Sequence, residues 1–407
     1  MKIKLLLIAL LFIISFLVFQ NTLRIKVFNA CQFCNLIELD RPDANLSKVD
    51  FRGSDLSKSN LSGSNLSGGY LRYANLSGAN LSGASLTRVD LKGVNLSGAN
   101  LSKVDFRGAD LSKADLTAAN LKGANISQAN LKEVIFTDVV LSQVDLSQAT
   151  LKGANLSKAN FSNVDFIGVD LSGVSLAGAN LKGLDFTVAK GLTNALFSES
   201  DLSGANLSKI DLQGVNFKSA NLSKANLSGT QLKSADLSKV NLSGANLSKA
   251  YLRYVELKSA DLRGANLSEV DFRGADLRGA DLREANLKGA SLKYANLSGA
   301  NLSGVDLSGS DLLGVNLSKS NLSGANLSGG DLSSSNLSGA ILLKASLVDT
   351  KVGMETNLNG VGLKGAYLSG VDLRGHEAGI GTVSLKGARL CNIKSSWILK
   401  NTDCEKN

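Results

Sequence analysis

The chain has 407 residues, with 44 Lys and Arg against 35 Asp and Glu, a formal net charge of +9, one His, one Pro, four Cys and 5% aromatic residues. A hydrophobic fraction of 43% excludes a disordered chain, and a single His excludes a His-based zinc cluster or a His-rich catalytic site. Length alone predicts two or three ordinary domains, but Leu, Ser, Ala, Gly and Asn recur in a fixed order that predicts one repetitive architecture instead.

Lys2 and Lys4 precede an apolar run from Leu5 to Phe19, interrupted by Ser15. A charged start followed by an apolar core has the layout of an export signal. No A-x-A cleavage pattern follows, because the chain reads Val18-Phe19-Gln20-Asn21. The uncharged stretch continues through residues 5–23, up to Arg24. As a helix at ~1.5 Å per residue it spans roughly 28 Å, enough to cross a bilayer. Residues 1–30 are therefore expected to form a single-pass transmembrane anchor and short linker. A cleaved export signal is the alternative, and a helix buried on the protein itself is the third reading. Arg24 and Lys26 offset Lys2, Lys4 and the amino terminus, so the body is placed on the exported side only by the default for such segments. Ala30-Cys31 makes a poor lipidation site, since it lies beyond the apolar core with Arg24 and Lys26 between.

From Ala44 the chain reads Ala-Asn-Leu-Ser-Lys, Val-Asp-Phe-Arg-Gly, Ser-Asp-Leu-Ser-Lys. A fixed internal period outranks any domain argument. With the central apolar residue designated i, every fifth residue from Leu46 to Phe186 is Leu, Phe or Ile. Residue i−2 is small or modest, i−1 is usually Asn or Asp, and i+1 is often Ser, Lys or Arg. A period of five fits neither a helix nor an amphipathic strand. A chain that bends once every five residues keeps i and i−2 inside and i−1, i+1 and i+2 outside, and the two inward positions match local strand geometry. The expected product is a solenoid of stacked coils joined by parallel backbone hydrogen bonds.

These repeats resemble the pentapeptide-repeat family, whose consensus is close to Ala-(Asn/Asp)-Leu-x-x, and the resemblance covers nearly all of residues 31–390. It implies an all-β fold, a right-handed quadrilateral parallel β-helix with four pentapeptides per coil. On that geometry residues 44–373 make about 16 coils, a rod on the order of 80 Å long at ~4.8 Å per stacked strand. Four large apolar side chains per coil contribute roughly 6–12 kcal/mol. Ordering twenty residues at ~1–2 kcal/mol each costs more, so coils are expected to stand only in a stack.

The period slips by one residue between Phe186 and Leu192, which predicts a bulge or small loop in 187–197, and then holds from Leu202 to Val352. A second slip falls in 353–357, before Leu358, Leu363, Leu368 and Leu373. Residues 376–383 interrupt the pattern, and Leu385 and Leu390 close it. Residues 391–407, with Trp397, are expected to cap the open end, as solenoids require. The resemblance implies homodimerisation through this cap as an option.

Cys31-x-x-Cys34 invites a redox or metal reading. Cys31 falls at i and Cys34 at i−2 of Leu36, both inward, which favours structural filler of the first coil. A disulfide or redox role and a metal site are the alternatives. Cys391 and Cys404 lie at the opposite end of the chain, too far away to complete a four-thiolate zinc site. In an exported body they would pair as a cap disulfide. The many Asn-Leu-Ser triplets match glycosylation acceptors only as a by-product of the repeat, and His376 reads as a loop residue in a Gly-rich break. No catalytic residue, metal or cofactor is expected. No Ser/His/Asp set, phosphate-cradling loop or buried carboxylate pair stands out, and the inward positions of both long runs are nonionisable.

With twenty residues per coil, i+1 residues twenty apart share a side. These are Arg52, Arg72, Lys92, Ser112, Lys132 and Lys152, and beyond the first slip Gln213, Lys233, Arg253, Arg273 and Lys293. Tyr73, Tyr254 and Tyr294 adjoin three of them. Such a basic stripe suits an acidic polymer, an anionic membrane surface or an acidic protein. Asp50, Asp90 and Asp271 at i−1 of the same rungs offer the blander alternative of a solvated, internally paired face, as do Asp276 with Arg278 and Asp281 with Arg283.

The expected function is that of a non-catalytic, rod-like scaffold or protein-interaction module, held at a membrane through residues 5–23 or exported. The alternative is binding of a polyanion, a nucleic acid or an acidic partner through the basic face, with nucleic acid the least favoured of these. The resemblance adds a third reading, since some pentapeptide-repeat proteins resemble duplex DNA in shape and charge and bind DNA gyrase. Such mimicry needs an acidic surface, whereas this chain carries +9, or +7 without Lys2 and Lys4.

Overall fold

The computed structural model describes residues 30–371, except 142, 143, 163 and 354, together with the backbone of 389–391. The chain forms two compact units, Met1–Leu184 with Val188–Ala195, and Asp185–Thr187 with Leu196–Asn407. Both are built from the same five-residue rule.

Residues i and i−2 face inward. Phe51, Leu56 and Leu61 in the first unit, and Leu262, Leu267 and Phe272 in the second, expose no surface. The chain turns between i and i+3, where the later amide donates to the earlier carbonyl: Val49 to Leu46 at 3.2 Å, Ala265 to Leu262 at 3.1 Å. Residue i+2 has a positive φ, 59° at Lys48 and 63° at Gly264, which together with that hydrogen bond marks a type II turn. Glycine takes this conformation freely, yet Lys, Ser, Glu and Tyr take it here too. Among the described residues, no β-branched side chain has a positive φ, as expected where a second branch at Cβ crowds the left-handed backbone.

Residue i−1 bridges in parallel to the residue twenty further on. Asp50 pairs with Tyr70 and Tyr70 with Asp90 in the first unit; Asn246 pairs with Asn266 and Asn266 with Asn286 in the second. Twenty residues at five per side make four sides per coil, and the β-helix solenoid expected from the period is the fold of both units. The preference for Asn and Asp at i−1 has a local cause. The side-chain Oδ1 accepts the amide of i+1, as Asn45 does from Ser47 at 3.2 Å, an Asx turn that satisfies a corner amide. Asparagines also chain from coil to coil, with Asn80 donating to Asn60 at 3.3 Å and Asn100 to Asn80 at 3.1 Å. Where i−2 is Ser or Thr the hydroxyl turns to a backbone carbonyl, as Ser64 to Leu61 and Thr230 to Leu227, both at 2.6 Å. Ser59 and Ser310 are exceptions among the described residues, buried with hydroxyls that have no hydrogen-bond partner.

At the first slip Val188 occupies the corner position after Phe186 without a positive φ, and Gly191, at φ 74°, is added after Lys190. A β-branched residue is disfavoured in the left-handed corner, and the inserted glycine takes a left-handed backbone three residues later, before the regular corner returns at Asn194. At the second slip the bridges lengthen to 21 residues, with Asn336 to Asn357 and Ile341 to Gly362. Beyond it β1 (Tyr367–Ser369) pairs in parallel with β2 (Arg389–Cys391), Leu368 opposite Leu390.

Cys31 and Cys34 both point inward, 2% and 6% exposed, and a disulfide joins them. The simple filler reading is corrected in its chemistry. Consecutive inward positions on either side of a corner bring the two Cα atoms to 5.5 Å, within disulfide reach. The apolar segment 5–23, the interruption 376–383 with His376, Cys404 and the rest of the 392–407 cap lie outside the described residues, and Cys391 is described in its backbone alone. Among the described residues no helix is long and apolar enough to cross a membrane.

Candidate functional site

The predicted stripe residues fall on one side of each unit. In the first unit Arg52, Arg72, Lys92, Lys132 and Lys152 follow the bridged column Asp50, Tyr70, Asp90, Asp110, Asn130 and Thr150. Ser112, 7% exposed, interrupts them. In the second unit Lys233, Arg253, Arg273 and Lys293 follow Gln231, Tyr251, Asp271 and Ser291.

The arginines are already engaged. Arg52 grips Asp50 of its own pentapeptide through Nε at 2.9 Å and Nη2 at 2.7 Å. Arg273 does the same to Asp271, at 2.8 and 2.7 Å. Residues i−1 and i+1 flank one inward residue on the same side, so the guanidinium fork meets both carboxylate oxygens. Arg72 and Arg253 follow tyrosines rather than aspartates and reach one coil onward, Nε to Asp90 at 2.7 Å and Nε to Asp271 at 2.5 Å. The sequence Tyr-Leu-Arg-Tyr, at 70–73 and again at 251–254, thus makes the same connection in both units.

Bidentate pairing of this kind shifts some of the carboxylates. The Arg52 guanidinium holds the Asp50 carboxyl below its ordinary range against partial burial, with help from Gln32. Arg107, Arg263 and Arg283 hold Asp105, Asp261 and Asp281 down in the same way.

The lysines differ. Lys132 lies 3.5 Å from Glu133, but Lys92, Lys152, Lys233 and Lys293 form no ion pair with any described residue. Lys293 sits 5.3 Å from the Tyr294 ring centre and Arg52 5.8 Å from that of Tyr70, at cation–π distance. The stripe therefore offers unpaired ammonium groups, that of Lys293 beside an exposed tyrosine face, while its guanidinium charge is cancelled at Arg52 and Arg72 and half cancelled where Arg253 and Arg273 share Asp271. Among the described residues no cluster of His, Cys, Asp or Glu could hold a metal ion.

The family profile described as Pentapeptide repeats (8 copies) matches residues 31–68, 65–102, 99–138, 135–173, 154–190, 192–229, 230–268, 265–304 and 300–339. The chain belongs to the pentapeptide-repeat family. Among solved structures it is similar to a trypsin-treated QnrB1, a plasmid-mediated fluoroquinolone resistance protein, with 23% identity over 48% of this chain and 89% of that one, at a TM-score of 0.35. It is similar to HetL, a pentapeptide repeat protein involved in heterocyst differentiation regulation from the cyanobacterium Nostoc, with 27% identity over 68% and 95% and a TM-score of 0.25. A pentapeptide repeat protein from the Arabidopsis thaliana thylakoid lumen is 33% identical over 25% of this chain and 68% of its own, with a TM-score of 0.20. No curated protein matches the chain.

One feature of this pentapeptide-repeat surface escaped the sequence reading. Tyr73, Tyr254 and Tyr294 occupy left-handed corners and are about two-thirds exposed. Each ring lies on the glycine one coil further on, Gly93, Gly274 and Gly314 respectively. A Cβ at Gly274 would stand 2.7 Å from Tyr254 Cε1, and one at Gly314 would stand 2.4 Å from Tyr294 Cδ1. Phe33 covers Gly53 in the same manner. The signal was an aromatic at i+2 followed twenty residues later by glycine.

Proposed function

We propose that this pentapeptide-repeat protein is a non-catalytic interaction scaffold that presents one side of its coils to a protein partner. The observation that carries this reading is the division of chemistry by position. The described inward residues are apolar or carry neutral hydroxyls, most of them spent on backbone carbonyls. Carboxylates such as Asp50 and Asp261 stand outside and are held low by arginines, away from the range in which a general acid or base works near neutrality. The scaffold is held at a membrane through residues 5–23, with its coils on the exported side. The uncharged length of that segment supports this placement, as does the Cys31–Cys34 disulfide, a bond that persists in oxidising compartments.

Photo-crosslinking groups placed in native cells at exposed i+1 positions, one side at a time, test the scaffold reading. Adducts confined to one side are expected; an even spread over all four sides refutes it. Fractionation with protease protection, combined with alkylation of Cys31 and Cys34 before and after reduction, tests the placement. Free thiols on a body digested from the cytoplasmic face would refute it.

The unpaired lysines favour a second reading, attraction of an acidic polymer or partner to the stripe. Replacing Lys233 and Lys293 with Gln should remove salt-sensitive retention on a polyanion column, whereas replacing Arg253 and Arg273 should change it less, because Asp271 already neutralises them in part. DNA mimicry draws no support from a chain of net charge +9, and the purified protein is expected to leave gyrase supercoiling unaffected.

A further inference from the structure

A different side of the first unit carries a site unrelated to the stripe. Its corner residues, one per coil, run Lys48, Gly68, Arg88, Gly108 and Gln128. Long and missing side chains alternate, and an open cavity of about 570 Å³ lies along them. The stems of the long residues fold onto the glycines: a Cβ at Gly68 would be 3.8 Å from Lys48 Cγ, and one at Gly108 would be 3.5 Å from Arg88 Cγ. Ser67, Thr87 and Arg107 complete the wall.

Two of the three cations of this notch, Lys48 and Arg88, are not cancelled locally. On this side the i−1 residues preceding Lys48, Gly68 and Arg88 are Asn45, Asn65 and Ser85, so no carboxylate faces the first two cations. Asp50 and Asp90 on the neighbouring side are taken by Arg52 and Arg72, and Asp110 accepts from Ser112 and Asn130. Asp105 clamps Arg107 through Nε at 2.9 Å and Nη2 at 2.6 Å, leaving Nη1. Lys48 and Arg88 form no ion pair with any described residue.

We propose that this notch binds a linear polyphosphate chain. Lys48 and Arg88 stand two coils apart, about 10 Å between backbones at ~4.8 Å per coil, and both stems fold in the same direction onto the next glycine, so their charges repeat along a line rather than converge on one oxyanion. A run of phosphoryl groups lying along the corner column reaches both, and reaches Arg107 and the Gln128 amide beyond. The guanidinium fork of Arg88 matches two phosphoryl oxygens, and the Ser67 and Thr87 hydroxyls add neutral donors. This site does not depend on the scaffold reading.

Calorimetric titration of the full chain with tripolyphosphate and with orthophosphate tests it. Tripolyphosphate should bind at least tenfold more tightly than orthophosphate. Lys48→Gln combined with Arg88→Gln should weaken it at least tenfold. Gly68→Ser combined with Gly108→Ser fills the notch without changing charge and should weaken it equally. Serine already holds this left-handed corner at Ser219 and Ser234, and an unchanged thermal melt would show the variant folded. Lys239→Gln with Lys319→Gln removes the same charge from corners of the second unit that belong neither to the stripe nor to the notch and should leave affinity unchanged. Absence of tripolyphosphate binding would overturn the proposal. So would undiminished binding to the filled notch, or an equal loss from the two distant lysines.

Discussion

A methyl group placed on Gly274 and, separately, on Gly264 divides two effects that the corner combines. Both glycines are left-handed, at φ 66° and 63°, so both alanines carry the same backbone penalty of ~1–2 kcal/mol. At Gly264 the new Cβ meets nothing within 4 Å, whereas at Gly274 it would lie 2.7 and 2.8 Å from two ring atoms of Tyr254. Tyr254 is 63% exposed. About a third of a tyrosine surface of ~200 Å² is therefore covered, ~70 Å² in all. At ~25 cal/mol per Å² that cover contributes about 1.8 kcal/mol, most of it lost when the ring is lifted. Gly264→Ala should thus destabilise by about 1–2 kcal/mol and Gly274→Ala by about 3–4 kcal/mol. In a Tyr254→Ser background the two should agree within ~0.5 kcal/mol. Urea unfolding combined with amide exchange across residues 250–300 is the suitable assay, because stability in a solenoid is distributed from coil to coil. Equal losses from the two alanines in the wild-type background would refute the reading that the ring rests on Gly274.

Leu267, with no exposed surface, should not tolerate Asp: Leu267→Asp buries a carboxylate without a partner and should open amide exchange in the coils on either side, and an unchanged melt would sink its inward assignment. Gly191→Ala should destabilise more than Gly264→Ala in urea, because its Cβ would fall 2.1 Å from Ser172 Oγ and 2.8 Å from the Ser172 backbone nitrogen; equal effects would show a slack corner at the slip. Asp50, Asp105, Asp261 and Asp281 have carboxyls held below their ordinary value of 3.8 in the folded chain. Below that value the unfolded chain binds more protons, so their contribution to stability is full above it and is lost as pH falls through the lowered native values. The urea midpoint measured from pH 7 to pH 2 should fall at the acid end, and a rise there would contradict the pairing.

The five-residue period was legible because burial selects at two places in every five, and Leu or Phe at i leaves that trace in both units. The count of four sides was not, since nothing inside distinguishes one side from the next; it came from the family resemblance and is visible in pairings such as Asp50 with Tyr70. The corner's left-handed backbone showed in the sequence only by exclusion, with Val188 as the exception at the slip. Asp-Phe-Arg announces its own ion pair, but the partner of Arg72 lies eighteen residues away on the next coil. The stripe read all its cations alike, whereas geometry separates engaged arginines from unpaired lysines. The notch escaped because long and missing corner residues alternate there every forty residues, a period hidden beneath the fivefold one. The inward places of Cys31 and Cys34 were legible, and their bond was not, because it depends on the 5.5 Å that the corner sets between them.

Inside either unit every side presents the same interior, a large apolar residue at i and a small one at i−2. Losing or gaining one pentapeptide therefore preserves the core, yet it advances every later side by a quarter turn. A lysine that stood above Lys233 is dealt to the neighbouring side, and a tyrosine no longer finds its glycine. Losing four pentapeptides only shortens the stack. The core counts in fives and the surface in twenties, so stability and recognition are inherited under different rules. A five-residue deletion that a melting curve would scarcely register can erase a binding side altogether.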